Sequence, residues 1–398
     1  MQAVIMAAGK STRTWPLTLT RPKPLLPVMG TPLLAHQLRA LKGIADEAVL
    51  IVGYMGDMIR EQFGDTFEGI ALRYIEQKEQ RGTGHAVLQA EPVITGPFLA
   101  LNGDDLYNPD DLMRLASRPD LALAREVDQP ERFGVFEIDG DDKVLNLEEK
   151  PARPRSNLAN VGAYSFAPSV FELLREIKPS PRGEIEVTDA LQRIAETTGL
   201  HVIHSEGYYL TIGYAWHLLD ANAYWLDHFL ESARLGAVSL LASISGNVYI
   251  GRGTVVRPGT VIEGPAYIGD NCVIGPNCWI RPYTTLGNGC RVGQASEIKG
   301  SILFDGAAAP HQNYVGDSII GAYANLACGT TTANLRHDGK TVKCLVKGEL
   351  VDTGREKFGA VLGDQVHTGI NTSIFPGRCI WPNQTTLPGS VVHTDITG

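Results

Sequence analysis

Residues 244–297 read ISGNVY IGRGTV VRPGTV IEGPAY IGDNCV IGPNCW IRPYTT LGNGCR VGQASE, hexapeptides aligned on their first residue. The aliphatic column Ile244, Ile250, Val256, Ile262, Ile268, Ile274, Ile280, Leu286, Val292 and Ile298 recurs at every sixth position without a miss. Neither the turn of a helix nor the alternation of a flat strand selects that period over so long a run. The pattern is an internal hexapeptide repeat, which winds a parallel β-helix. Four places after each aliphatic residue stands a small one: Val248, Thr254, Thr260, Ala266, Cys272, Cys278, Thr284, Cys290 and Ser296. One large and one small inward side chain per face fill a narrow prismatic coil at interior density, where two large ones would overfill it. Gly251, Gly269, Asp270, Gly275 and Gly287 fall where the chain turns its corners, and glycine accepts a positive φ there.

A chain of 398 residues is too long for one core, so two domains are expected. A net charge of −9 argues against a nucleic-acid surface while leaving room for local basic pockets that take phosphorylated small molecules. No apolar run approaches the ~20 residues of a membrane span. The first residues run into an apolar strand, Ala3 to Ala8, then Gly9, without a basic start or cleavage site; no secretory signal is expected. All six cysteines lie in the second half and none forms a CxxC pair. Cys272 and Cys290 stand one full coil apart if three hexapeptides make a turn. Reduced core thiols of a cytoplasmic protein are the expectation.

Before the repeat the chain alternates buried strands with helices. Val4 to Ala8, Ala48 to Val52, Ala71 to Ile75 and Phe98 to Leu101 read as parallel strands, with helices near Leu33 to Leu41, Asp57 to Phe63, His85 to Ala90 and Asp110 to Ala116. Shorter strands follow at Gly134 to Ile138, Val144 to Leu147 and Val161 to Phe166, and helices at Pro168 to Ile177 and Thr188 to Thr197. Tyr214 to Leu235 reads as a long helix leading into the coil. This is a doubly wound α/β sheet of Rossmann type, whose ligands bind at the carboxyl ends of the strands.

Three strand ends carry chemistry. Ala7-Ala8-Gly9-Lys10-Ser11-Thr12-Arg13 is a small-residue loop whose backbone N–H groups can cradle phosphates, with Arg13 adding charge. Lys23 follows between two prolines that limit backbone wandering. Asn102-Gly103-Asp104-Asp105 closes a buried strand, and Asp104 is a natural Mg²⁺ carboxylate beside nucleotide phosphates. Taken singly, such features are often only a tight turn or a solvated charge. Their order and their surrounding elements make them specific.

With these motifs, and with QRGTGHA (Gln80 to Ala86), EEKP (Glu148 to Pro151) and the coil, the chain resembles the sugar-1-phosphate nucleotidylyltransferases over residues 1–390, above all the short bifunctional nucleotidylyltransferase/acetyltransferases. The resemblance implies a Rossmann-like nucleotidyltransferase domain over 1–226, a helical linker over 227–243 and a left-handed parallel β-helix over 244–398. It implies that Ala8, Gly9 and Gly103 approach the nucleotide, and that Gln77, Gln80, Gly82 and Thr83 read its pyrimidine. A glutamine amide offers both donor and acceptor to the edge of uracil or thymine. Gly134, Glu149 or its neighbour Glu148, and Asn160 would hold the sugar, with Lys150 near its phosphate. The implied reaction is attack of a sugar-1-phosphate oxygen on the α-phosphorus of UTP or dTTP with release of pyrophosphate. Arg13, Lys23 and a Mg²⁺ on Asp104 would neutralise the meeting anions. One departure stands out: the family's second metal contact, an Asp or Asn, is here Thr211.

In the coil the aliphatic column stops after Ile298 and resumes near Ile320 and Leu326, and Pro310-His311-Gln312-Asn313-Tyr314 sits between. This stretch resembles the catalytic loop of hexapeptide acetyltransferases, and Arg281, Lys299, Asn325, Asn334 and Lys340 fall on matching positions around it. An amine must lose its proton before it attacks the thioester of acetyl-CoA, and the pKa of histidine lies nearest to working pH. His311 is therefore the implied base. Arg281, Lys299 and Lys340 would bind the sugar phosphate, and Tyr314, Asn325 and Asn334 would orient sugar and amine. Leu335 and Cys328 depart from the larger bacterial enzymes, which leaves glucosamine- and galactosamine-1-phosphate both open as acceptors. A homotrimer without nucleic-acid or membrane partners is the expected assembly. Two rival readings stand beside the bifunctional one: a glucose-1-phosphate thymidylyl- or uridylyltransferase with a structural coil, and a non-catalytic nucleotide-sugar-binding subunit.

Overall fold

Parallel strands in the first half and stacked short strands in the second are both present in the computed structural model, which describes residues 1–180 and 183–397. The chain divides into two compact units, each described by itself. The first contains Met1–Lys10, Pro22–Leu25 and Leu33–Thr211; the second contains Ser11–Arg21, Leu26–Pro32 and the chain from Ile212 on.

In the first unit Phe98–Asn102, Gln2–Ala7, Glu47–Val52 and Ile70–Glu76 lie side by side and parallel. Leu158–Phe166, Gly134–Ile138 and Val144–Glu149 extend the sheet antiparallel beyond Phe98–Asn102. Alternate residues of the central strands are buried on opposite faces. Val4, Val49, Ile51 and Ala100 pack with Phe171, Leu174 and Leu191, while Ile5, Leu50, Leu99 and Leu101 pack with Leu34, Leu38, Ile59 and Leu112. Burial on both faces explains why these strands read as unbroken apolar runs.

Among the strands that escaped the sequence reading are Leu121–Glu126 and the parallel His201–His204, which pair with each other. So are those of the small antiparallel pair Asp105–Tyr107 and Tyr209–Thr211. The long helix expected over 214–235 is His217–His228. Beyond it, Ala233–Arg234 and Ala237–Val238 are already strands, paired with Tyr249–Ile250 and Val255–Val256. The expected helical linker over 227–243 is thus mostly the opening coil, because ladder hydrogen bonds to the next turn override local helix propensity.

The second unit is built on three parallel sheets in which, from Ala233–Arg234 to Ile302–Leu303, each strand pairs with the third strand after it, as Val248–Ile250, Ala266–Ile268 and Thr284–Leu286 do. Aliphatic stands over aliphatic: Ile244 over Ile262, Ile262 over Ile280, Ile280 over Ile298. From Ile250 to Ile298 every member of the column is buried. The small column is buried as well, and it does more than save space. The Thr254 hydroxyl donates to Gly269 O at 2.7 Å and accepts from Cys272 N at 2.9 Å, and the Cys272 thiol donates to Gly287 O at 3.1 Å. Corner backbone groups that the ladders leave over are satisfied from inside the coil.

The expected stop after Ile298 is a one-residue shortening, repeated between Val315 and Ile320. Ile262 and Ile280 are eighteen residues apart in register, whereas Leu286 pairs with Leu303 and Ile298 with Val315, seventeen apart. Leu303, Ala309, Val315 and Ile320 continue the buried column. Between the coil strands Thr331–Thr332 and Val361–Leu362 the chain forms the hairpin Lys343–Val346 and Glu349–Asp352, and the Cys344 thiol donates to Gly377 O at 3.2 Å. All six cysteines are unpaired. No helix of the described residues is long and apolar enough to cross a membrane.

Candidate functional site

At the carboxyl end of the parallel sheet, Gly103 N donates to Met6 O at 3.1 Å. A Cβ on Gly103 would stand 2.4 Å from that oxygen, so only glycine lets the first strand and the Asp104 strand end together. Ala8 is buried while Gly9 and Lys10 are exposed. Lys23 heads the turn Lys23–Leu25, is 4% exposed, and forms an ion pair with the Asp104 carboxylate. Asp104 keeps 35% of its side chain in solvent. The buried ammonium is thus held in place by an accessible carboxylate.

Asp105, one residue on, is buried. Burial, and then the Asp104 charge, push its carboxyl up to about 7. Its Oδ2 accepts from Asn102 Nδ2 at 3.0 Å and from the Tyr107 hydroxyl at 3.3 Å, whereas Oδ1 is sealed from solvent with no well-directed hydrogen bond from the described residues. Thr211 lies opposite Asp105 in the strand pair, and its side chain reaches the same carboxylate. The sequence reading left Asp105 out, although it stands beside Asp104 in the motif.

The pyrimidine-reading candidates are brought together. Gln77 is buried, with Nε2 at 2.9 Å from His85 Nδ1 and 3.3 Å from Gly82 O, and Gln80 Nε2 donates to Ala8 O at 2.8 Å. Gly82 has φ 102°, and a Cβ there would meet Ile185 O at 2.6 Å. Thr83 Oγ1 accepts from Val187 N at 3.2 Å. Among the sugar candidates, Gly134 pairs in register with Glu149, and a Cβ on Gly134 would stand 3.1 Å from Glu149 Oε2 and 3.5 Å from the Cβ of Asn160. Glu148 pairs with Val135 and projects from the other face. Asn160 Nδ2 donates to the Tyr164 hydroxyl at 2.9 Å, and Lys150, at φ 49°, sits 3.6 Å from Glu149.

Arg13 belongs to the second unit, in the turn Thr12–Thr14, with its guanidinium 5.5 Å from the centre of the Tyr214 ring. Its loop is anchored there by Thr20 Oγ1, which donates to Asp364 Oδ2 at 2.7 Å, by the Arg21–Asp364 ion pair, and by Trp15 edge-on to Trp381 at 5.4 Å.

In the coil, His311 ends the strand Ala308–His311 and is exposed. Its backbone N–H donates to Asn313 Oδ1 at 3.0 Å, and Gln312, at φ 50°, turns the corner to Tyr314. His311 lines a groove of about 310 Å³ with Arg257, Arg291, Gly293 and Gln294. A Cβ on Gly293 would stand 2.0 Å from Pro310 O, so the histidine strand lies tight against the preceding coil. Lys299, Tyr314 and Asn334 gather around a residue the sequence did not single out. The carboxylate of Asp317 lies 3.0 Å from Lys299 Nζ and accepts from Asn334 Nδ2 at 2.5 Å, and that amide also reaches the Tyr314 hydroxyl at 3.3 Å. Arg281 pairs instead with Glu297 at 2.7 Å and lies 4.6 Å over Trp279. Asn325 is a backbone bridge between Ala308 and His367, and Lys340 is exposed in the turn made by Asp338. Among the described residues no side-chain hydrogen bond or ion pair joins these two, or His311, to the Asp317 cluster.

Residues 2–228 match the nucleotidyl transferase family, and residues 262–387 match the GMPPB C-terminal domain. The bifunctional protein GlmU of Methanococcus maripaludis is 44% identical over 398 residues, covering 100% of this chain and 95% of its own. A bifunctional sugar-1-phosphate nucleotidylyltransferase/acetyltransferase of Sulfurisphaera tokodaii is 37% identical, covering 100% and 98%. Among solved structures, a UDP-glucose pyrophosphorylase complexed with UDP-glucose superposes with TM-score 0.54 at 28% identity, over 57% of this chain and 99% of that one.

Proposed function

The chain belongs to the nucleotidyl transferase family and, along its whole length, to the bifunctional sugar-1-phosphate nucleotidylyltransferase/acetyltransferases, and from that premise we propose that it makes a UDP- or dTDP-activated N-acetylhexosamine by two transfers. Residues 244–398 form a left-handed β-helix that acetylates glucosamine- or galactosamine-1-phosphate from acetyl-CoA. Residues 1–226 join a sugar-1-phosphate to UTP or dTTP and release pyrophosphate. The observation that carries this reading is that both chemical sets stand on one chain: the buried Lys23 paired with Asp104 at the strand ends, and His311 on a groove beside Arg257 and Arg291.

In the acetyl transfer His311 takes one proton from the acceptor ammonium, the amine attacks the thioester carbonyl, and the carbon–sulfur bond breaks as the second proton shed by the nitrogen passes to the leaving sulfur, so that coenzyme A departs as the thiol. Lys299, held by Asp317, neutralises the acceptor phosphate, and Tyr314 and Asn334 orient the sugar. Arg281, Asn325 and Lys340 complete the acceptor set in a homotrimer, where a neighbouring coil contributes.

In the nucleotidyl transfer the sugar-phosphate oxygen attacks the α-phosphorus in line with the leaving pyrophosphate. Lys23 and Arg13 neutralise the two anions, so catalysis is positioning and charge rather than a protein nucleophile. Ala8, Gly9 and Gly103 let the nucleotide approach the backbone, Gln77, Gln80, Gly82 and Thr83 take the base, and Gly134, Glu149, Asn160 and Lys150 take the sugar phosphate. Magnesium, when bound, supplies further charge neutralisation at the triphosphate, and the accessible Asp104 carboxylate fits it. Six unpaired thiols support a cytoplasmic location.

The test is a substrate panel on the full chain: pyrophosphate from UTP or dTTP with several sugar-1-phosphates, and free coenzyme A from acetyl-CoA with either amino-sugar phosphate. Both products are expected. Pyrophosphate without coenzyme A under every condition would leave the coil as a scaffold and overturn the second half of the reading.

A further inference from the structure

The strand-end carboxylate assigned to the divalent cation is Asp104, and by the resemblance the second contact, an acid or amide, falls on Thr211. A hydroxyl alone is a weak ligand for a hard divalent cation. The strand pair that holds Thr211 supplies what is missing. Thr211 is directly opposite Asp105, and side chains of opposed antiparallel residues lie on one side of the ribbon. Thr211 is partly exposed and Asp105 is buried, and the Thr211 side chain reaches the Asp105 carboxylate. Among the described residues Asp105 forms no ion pair, and the nearby Lys23 ammonium is engaged with Asp104. Its Oδ2 is held by Asn102 and Tyr107, and its Oδ1 is sealed without a well-directed donor.

Resting on the transferase reading, we propose that Thr211 Oγ1 is the second protein ligand of the divalent cation and that Asp105 is its positioning residue. The Thr211 hydroxyl donates its proton to the Asp105 carboxylate and turns its lone pairs outward. The carboxylate behind it raises its basicity and supplies the negative charge that an acidic residue at position 211 would bring. The acid of the usual pair has in effect crossed the ribbon to the facing strand, with the hydroxyl as the link. Partners of this kind behind a metal ligand typically contribute about 10–100-fold in affinity.

The test is Mn²⁺ binding by electron paramagnetic resonance on the full chain with UTP present and no sugar phosphate, so that turnover is not the readout. Asp105→Asn and Thr211→Val are each expected to weaken Mn²⁺ binding about tenfold or more, and Asp105→Asn combined with Thr211→Asp is expected to restore it, since the acid then stands at the ligand position itself. Thr211→Val changes a partly exposed residue, which keeps the test decisive should Asp105→Asn fail to fold. Wild-type binding with both single variants unchanged, or a double variant that stays weak, would overturn this inference alone. Wild-type protein that holds no Mn²⁺ with UTP would overturn the transferase reading beneath it.

Discussion

Neighbouring β-branched residues of one coil, Val261 and Ile262, differ sharply in burial: Ile262 is fully buried and Val261 is 36% exposed. Ile262 is stacked between Ile244 and Ile280 by parallel ladders on both sides, so the coil cannot collapse into a hole left there. Ile262→Ala removes three buried carbons, about 2.4 kcal/mol at ~0.8 kcal/mol each. The cavity brings the expected loss to about 3 kcal/mol, within the 2–5 kcal/mol measured for such truncations. Val261→Ala, at the surface, is expected to cost under about 0.5 kcal/mol. Because the units of a solenoid are coupled to their neighbours, the loss is read by hydrogen exchange of peptides spanning residues 255–285. There ~3 kcal/mol is about a hundredfold faster opening, at tenfold per 1.4 kcal/mol. Equal acceleration in the two variants, or a larger effect at Val261, would refute the inward assignment of the column.

Three further outcomes follow from particular contacts. Asp364 is 8% exposed and accepts from Thr20, Arg21 and Ala322 N; Asp364→Ala strands the Arg21 charge and is expected to cost about 3–5 kcal/mol, read as a lower melting temperature than Asp364→Asn gives. At Asp111 burial pushes the carboxyl up, but the Arg114 side chain, the Glu206 and Gly207 amides and the Ser205 hydroxyl outweigh it and hold it below the usual range. Its contribution is then complete above the unfolded value of about 3.9 and is lost as pH falls through the folded one. Asp111→Asn should lower stability at pH 7 and flatten the acid limb of a urea-midpoint profile; an unchanged limb would count against this. Asp317→Asn, which loosens Lys299 and Asn334, should raise the KM for the amino-sugar phosphate more than it lowers kcat for coenzyme A release.

The coil was readable because each turn repeats one packing problem, so Ile250 and Ile298 answer it identically 48 residues apart in sequence. The four parallel strands were readable because both of their faces are buried. Leu121–Glu126 escaped because its charged end, Arg125 and Glu126, breaks the apolar run, and because its partner His201–His204 carries a histidine at each end. The shortened coil after Ile298 looked like a break, since a fixed period of six cannot register one missing residue. Of the candidate site, the loops that carry their chemistry in consecutive residues were legible, as in Gly103-Asp104. Asp317 and the Asp105–Thr211 pair were not, because their meaning lies in contacts between strands far apart in the chain.

The central claim, two independent transfers on one chain, is tested most directly by crossing two variants with two assays. Lys23→Ala should lower pyrophosphate release by about 10²–10³ and leave coenzyme A release intact. His311→Ala should lower coenzyme A release by about 10²–10⁴ and leave pyrophosphate release intact. If either variant abolished both activities, or neither variant changed its own, the two-site account would be contradicted.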